Sequence, residues 1–275
     1  MLTKPNTMSS SSVFSSYTEQ ILSRKEYAKI HSVFPNGFNL NFNGELIYMS
    51  AHQQGKLSAR GLTIDKKVLN FLCSHISLGE QVRLRKNQIV FYTRAGILTI
   101  ELTDRIVKDL KIIPITLEKL EKIYLEKQLE NMDLFSSSGF SKSQNLLNIL
   151  SNIQKTKEIR IEHINPLIGA GIGLTPTGDD FLQGLIFTEQ LLGKVPHIRG
   201  LVQKQLAKRS TTDISMSYYE AIFEGYGNEP LILLIEAIRE ENQGKIKQAL
   251  SYVQQYGETS GYDLLTGILT YLQII

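Results

Sequence analysis

The spacing of hydrophobic positions changes partway along the chain. Across residues 28–115 apolar residues tend to alternate with polar ones: Phe38, Leu40 and Phe42 occupy every second place with asparagines between them, and 82–84, 88–93 and 96–102 are similarly β-rich. Alternation of this kind marks strands with one buried face. Asn43-Gly44, set before the 45–49 run, is a two-residue hairpin turn, since both residue types tolerate the left-handed backbone such turns require. Further turns are predicted near Lys86-Asn87 and Arg94-Ala95-Gly96, and a last strand within 106–115. Short helices are predicted within 16–28 and over 65–76, the second with Val68, Leu69, Leu72 and Ile76 inward and Cys73 in the core. The polar stretch 50–61, with His52, Lys56 and Arg60, reads as a solvated loop.

From Thr116 the spacing becomes helical. Leu120, Ile123, Tyr124 and Leu129 are interleaved with Glu and Lys over 117–130, the mark of a helix with one wet face. Further helices are predicted over 144–153, 198–208, 214–224, 229–240 with Pro230 in its first turn, 245–256, and from 258–261 to the end. Residues 136–143, SSSGFSKS, read as a flexible connection, and 159–163 as a short extended piece. The predicted class is α+β: a flexible N-terminal segment and short helix (1–27), an antiparallel β-rich, barrel-like domain (28–115), and a mostly helical domain (116–275).

Composition narrows the function classes. The chain has 275 residues, 42% hydrophobic and 21% charged, ordinary for a globular protein with a sizeable core. A net charge of +3, with basic residues scattered among acidic ones, provides no basic stripe for nucleic acid. No apolar run is long enough to span a bilayer. The single cysteine, Cys73, excludes an internal disulfide framework and a thiolate metal cluster. With the serine-rich start read as a disordered tail lacking an apolar h-region, a cytoplasmic location is expected.

The candidate chemistry lies in 169–186, GAGIGLTPTGDDFLQGLI. Gly169, Gly171, Gly173 and Gly178 allow a backbone whose N–H groups are unshielded by side chains. Pro176 ends any preceding element, and Thr177 with Asp180 three residues on has the form of a capping box opening an amphipathic helix, with Leu182, Leu185 and Ile186 inward and Gly193 as its stop. The pattern recurs without gaps at 260–269, SGYDLLTGIL: Gly178 matches Gly261, Asp180 matches Asp263, and Gly184 matches Gly267. Glycine inside a helix costs about 1 kcal/mol relative to alanine. Close packing of two helices at Gly184 and Gly267 would offset that cost, with both helix starts converging on one site.

Exposed backbone N–H groups in such a loop suit a phosphate or carboxylate. The expected arrangement has Asp180 turned back as a cap while Asp179 faces the site, either accepting hydrogen bonds from an amide or holding Mg²⁺ with Asp180. A plain favourable charge in the first turn is the competing reading of Asp179. Candidate substrate-binding residues are Gly169, Gly171, Gly173, Thr175, Thr177, Gly178, Arg209, Thr211, Thr212, Ser215, Thr259, Ser260 and Gly261. Candidate catalytic residues are Asp179, Asp263 and His163, the last as an acid or base ahead of the loop. A dinucleotide fingerprint is excluded because the third glycine comes one residue early and no βαβ unit surrounds it; a P-loop is excluded because the lysine is missing. No Ser-His-Asp, HExxH or Cys-His zinc pattern is present.

At GIGLTPTGDDFLQG, with TTDIS (211–215) and GETSGYDLLTG (257–267) downstream, the sequence resembles the bacterial family that includes the AllH-type subunit associated with oxamate carbamoyltransferase in allantoin degradation. The three motifs stand in the family's order, and the resemblance covers the helical half; the β half is similar in pattern. Two positions depart from the usual form: Ile172, where proline is usual, and Glu258, where histidine is usual. The resemblance implies a subunit of an enzyme that moves a carbamoyl group between phosphate and the amide nitrogen of oxamate. It also implies partner subunits, one similar to CoA-ligase proteins, and a small anionic substrate. A non-catalytic metabolite-binding or scaffolding subunit is the alternative, and a purely structural loop a third.

Overall fold

The computed structural model describes residues 6–275 and divides into two compact units, Met1–Leu110 and Lys111–Ile275. In the first unit, eight strands close a barrel: β1 (Asn6–Ser15), β2 (Tyr27–Phe34), β3 (Gly37–Phe42), β4 (Glu45–Ala51), β5 (Gly61–Ile64), β6 (Gln81–Arg85), β7 (Gln88–Thr93) and β8 (Gly96–Lys108). Around the barrel the order is β1-β5-β4-β3-β2-β6-β7-β8. Helices α1 (Ser16–Leu22) and α2 (Lys66–His75) complete the unit. Phe38, Leu40 and Phe42 are fully buried, as their alternation requires, and Asn43 and Gly44 turn the β3–β4 hairpin at φ 54° and 94°.

Three expectations are corrected in this unit. The serine-rich start is not a disordered tail over the described residues, because residues 6–15 form β1, the strand that closes the barrel between β5 and β8. Its first five residues lie outside the described range. Hydropathy does not reveal this strand because three of its four buried positions, beside Phe14, are Ser10, Ser12 and Ser15, satisfied by Asp65, the Thr103 carbonyl and the Ala59 carbonyl. The barrel is also not purely antiparallel, since β1 pairs with β8 and β4 with β5 in parallel. The 50–61 loop is not solvated throughout: Arg60 is buried with its guanidinium over the Tyr17 ring, and His52 is hydrogen-bonded to the Ser11 and Thr63 hydroxyls.

The second unit is helical: α3 (Lys119–Glu130), α4 (Leu134–Ser137), a 3-10 turn at Gly139–Lys142, α5 (Gln144–Thr156), α6 (Ile161–Leu167), α7 (Thr177–Leu191), α8 (His197–Leu206), α9 (Asp213–Phe223), α10 (Glu229–Arg239), α11 (Gln243–Gln254) and α12 (Ser260–Leu272). Its core gathers on α7, where Phe181, Leu182, Leu185, Ile186, Phe187 and Leu191 are all fully buried. An amphipathic α7 was expected, but it is buried on nearly every face, as befits a helix enclosed by others. Residues 136–143 are not a free connection: they form the end of α4 and the 3-10 turn, with Phe140 packed on Phe181 at 5.1 Å between ring centroids.

Candidate functional site

Helices α7 and α12 lie side by side, run in the same direction and keep one register. The hydroxyls of Thr175 and Ser260 meet at 2.7 Å where the two helices begin, and Gly184 meets Gly267 farther along. A Cβ on Gly184 would lie 2.1 Å from the Leu264 carbonyl oxygen, and one on Gly267 would lie 2.2 Å from that of Phe181. Only glycine allows this approach, so the helix-interior glycines are explained by packing. The match extends to the segments before each helix: a Cβ on Gly178 would strike the Leu167 carbonyl at 2.0 Å, and one on Gly261 that of Val253 at 2.2 Å. The sequence duplication is therefore a structural one, a preceding helix pressed onto the glycine of the next helix's first turn.

The loop 168–176 leading into α7 takes the expected form. Gly169, Gly171 and Gly173 have φ of 69°, 125° and 101°, a region that favours glycine. The Ala170 carbonyl accepts from the Gly178 N–H at 2.8 Å and closes the loop. Among the described residues, the N–H groups of Gly171, Ile172 and Gly173 find no protein acceptor. Ile172 and Leu174 stand exposed, at 89% and 52%.

Neither aspartate of α7 takes the place predicted for it. Pro176, not Thr177, occupies the N-cap position, and no side-chain cap is made. Asp179 does not face an open site. It is fully buried, and its carboxylate accepts from the Gly169 N–H (3.0 Å), the Tyr219 hydroxyl (2.9 Å) and the Thr211 hydroxyl. It fastens the glycine loop to the segment before α9. Burial, and then the nearby Asp179 charge, keeps the Tyr219 phenol well above its ordinary pKa, so it stays a donor. With three donors aimed at it, Asp179 does not fit a joint Mg²⁺ site with Asp180. Among the described residues no group of three or more His, Cys, Asp or Glu side chains is placed to hold a metal ion.

Asp180 instead lies within the field of its counterpart on the other helix, Asp263. Burial pushes the Asp180 carboxyl well above the usual range; the Ser260 and Thr175 hydroxyls oppose the rise, and the charges of Asp263 and Asp179 add to it. Asp263 is pushed up to about 6 by burial, against the Gly139 N–H, the Thr259 and Thr177 hydroxyls and the Lys142 charge. Each keeps one buried Oδ2 with no hydrogen-bond partner among the described residues. Such an atom is costly as a bare carboxylate oxygen, and the raised pKa values are consistent with that cost.

Other predicted residues scatter. Thr212 caps α9 through the Ser215 N–H at 3.0 Å and also holds the Leu174 carbonyl. Ser215 is buried with its hydroxyl unbonded among the described residues. Arg209 is exposed, and its side chain bonds to none of these groups. His163 is not in an extended piece: it sits buried in the first turn of α6, where its Nδ1 accepts from the Arg160 N–H at 3.2 Å. Two site residues escaped sequence reading, Tyr219 and Gly139. Gly139 donates its N–H to Asp263 at 2.8 Å, and a Cβ there would fall 1.8 Å from the Thr177 hydroxyl. Nothing in the polar run 136–143 signals that contact.

The fold and site define a two-unit α+β protein: a closed barrel, and a helical unit whose paired helix starts carry a naked glycine loop and two buried, raised carboxyls. The chain belongs to the AllH family. The sequence model described as oxamate carbamoyltransferase subunit AllH matches residues 167–272, the whole glycine-loop and α7–α12 region, and that of the AllH family N-terminal domain matches residues 7–107, the barrel. No solved structure gives a significant match. Among the described residues no helix is long and apolar enough to cross a membrane.

Proposed function

We propose that this chain is a subunit of a carbamoyl-transferring assembly and that it binds the small amide or carboxylate substrate where α7 and α12 begin. The reading rests above all on one observation: two parallel helices of the same register bring Asp180, Asp263, Thr175 and Ser260 together beside loop N–H groups that lack protein acceptors. The family description, a subunit of oxamate carbamoyltransferase, agrees with it.

In this reading the N–H groups of Gly171, Ile172 and Gly173 receive phosphate or carboxylate oxygens, helped by the positive ends of both helix dipoles. The oxamate amide nitrogen attacks the carbamoyl carbon, phosphate leaves, and the nitrogen gives up a proton. Asp263, largely ionised near neutral pH with its pKa at about 6, accepts that proton. Asp180, whose burial favours its protonated form, donates a hydrogen bond in that form to the oxygen on which charge develops. Both free Oδ2 atoms lie below the surface, so substrate reaches them when the loop 168–176 lifts.

The test is phosphate release from carbamoyl phosphate with oxamate, by this chain alone and with its partner subunits. Expected is activity that Asp263→Asn lowers by about a hundredfold or more while ligand binding persists. Full activity in that variant sinks the reading. A second reading, a non-catalytic subunit that docks on its partners, is favoured by the exposed Ile172 and Leu174 at the loop tip. It predicts that Ile172→Glu breaks assembly and that Asp263→Asn leaves turnover unchanged.

A further inference from the structure

A second cavity lies at the other end of the same helix pair. A cleft of about 370 Å³ is lined by residues from the segment before α6, from the C-terminal turns of α7 and α12, and from the start of α8. Glu189 stands nine residues beyond Asp180 on α7, which is about 13 Å along the helix axis, so this cleft is separate from the glycine-loop site.

Its lining divides by chemistry. Ile159, Ile198 and Ile274 make an apolar wall. Tyr271, only 9% exposed, lines the cleft with a hydroxyl that bonds to nothing among the described residues. The ring is enclosed while the hydroxyl opens on the cleft, leaving a polar group for an occupant to meet. Behind it, the Glu189 carboxylate is buried and accepts from the N–H groups of His197, Ile198 and Arg199 at 2.9, 2.7 and 3.1 Å. At the rim stands Glu158, and the one guanidinium there, Arg160, is shared between Glu158 and Glu162.

Against the positive N-terminal end of α8, which the Glu189 carboxylate meets, the balance of the cleft is negative at its α7, α12 and Glu158 side. Both α7 and α12 end beside it, and helix C-termini carry partial negative charge. Glu158 and Glu189 add carboxylates, and Arg160 faces two acidic partners rather than one. Burial, with the field of Glu189 second, pushes the Tyr271 phenol up to about 12, so its hydroxyl remains neutral and offers a lone pair to a donor.

We propose that this cleft is a binding site for a small primary amine with an apolar body. The ammonium group donates to the Tyr271 hydroxyl and to the carboxylate side of the cleft, and the carbon chain lies along Ile159, Ile198 and Ile274. This inference is independent of the carbamoyl-transfer reading.

The test uses the full chain and three probes of matched length: n-pentylammonium, pentanoate and 1-pentanol. Binding is followed by saturation-transfer NMR and by the shift in Tm. Expected is saturable binding of pentylammonium at least tenfold tighter than pentanoate or pentanol. Tyr271→Phe, which keeps the ring and so the packing, weakens it by about fivefold or more, and Asp180→Asn leaves it unchanged. Should Tyr271→Phe disturb folding, Glu158→Gln at the exposed rim weakens the amine selectively. Equal binding of all three probes, no saturable binding of the amine, or amine binding indifferent to both Tyr271→Phe and Glu158→Gln overturns the proposal.

Discussion

Gly184 and Gly267 press their backbones together where α7 and α12 pack, each so close to a carbonyl of the other helix that a methyl group on either would lie 2.1–2.2 Å from oxygen. Alanine would gain about 1 kcal/mol of helix propensity at each position. Overpacking a tight helix contact costs about 1–3 kcal/mol and more where backbone must part, so the steric effect wins. Gly184→Ala and Gly267→Ala are each expected to lower stability by about 2 kcal/mol or more, seen as a lower urea midpoint. The double variant should lose less than the sum, since one separation of the helices relieves both clashes. Additive losses would show that the two glycines do not share a contact.

Asp179 ties three segments through Gly169, Thr211 and Tyr219. Asp179→Ala leaves the buried Tyr219 hydroxyl without an acceptor and frees the Gly169 and Thr211 donors, which water can reach, a loss of about 1–3 kcal/mol. Asp179→Asn keeps one carbonyl acceptor and should lose less. Amide exchange should quicken first at Gly169 and around 210–215 in both variants. Unchanged protection there would mean that the carboxylate does not hold the loop.

What sequence could and could not convey follows from where the information lies. The β3–β4 hairpin was legible because alternation and Asn43-Gly44 are local signals. The pairing of α7 with α12 was legible because the glycine and aspartate pattern repeats 83 residues apart. Strand β1 was not, because three of its four buried places hold serines, whose hydroxyls also reach partners distant in sequence: Asp65, Thr103 and Ala59. Neither aspartate of α7 sits where local pattern predicts, for a related reason. Thr177 and Asp180 match a local capping pattern, but Thr177 sits against Gly139 and Asp263, and Asp180 beside Ser260. Tertiary partners override the cap.

The raised pKa of Asp263 fixes the sign of a pH effect. Its folded value of about 6 stands above the ordinary 3.8, so between those values the folded protein holds the proton more tightly than the unfolded chain. Stability from this group is thus fully present below pH ~4 and lost as pH rises through about 6. The loss is on the order of 3 kcal/mol at most. Asp180 shifts in the same direction. Asp263→Asn, fixed in the neutral form, should flatten the fall in stability between pH 4 and 7 measured by urea unfolding. An equally steep fall in the variant would place the titration elsewhere.

The loop itself is open to a test that separates function from strain. Gly171 has φ 125°, and a Cβ there would lie 2.5 Å from the Thr177 nitrogen, at the start of α7. Gly44 has φ 94° in the barrel hairpin, with open space where its Cβ would go. Alanine at either position carries backbone strain of about 1–3 kcal/mol, but only Gly171→Ala also displaces the unshielded N–H groups of the loop. In the assembled complex, Gly171→Ala should weaken carbamoyl phosphate or oxamate binding by about tenfold or more, while Gly44→Ala, with a comparable drop in Tm, leaves binding intact. Equal effects of the two variants on binding would mean that the loop contributes only through overall stability, and the proposed anion site at the α7 start would fall.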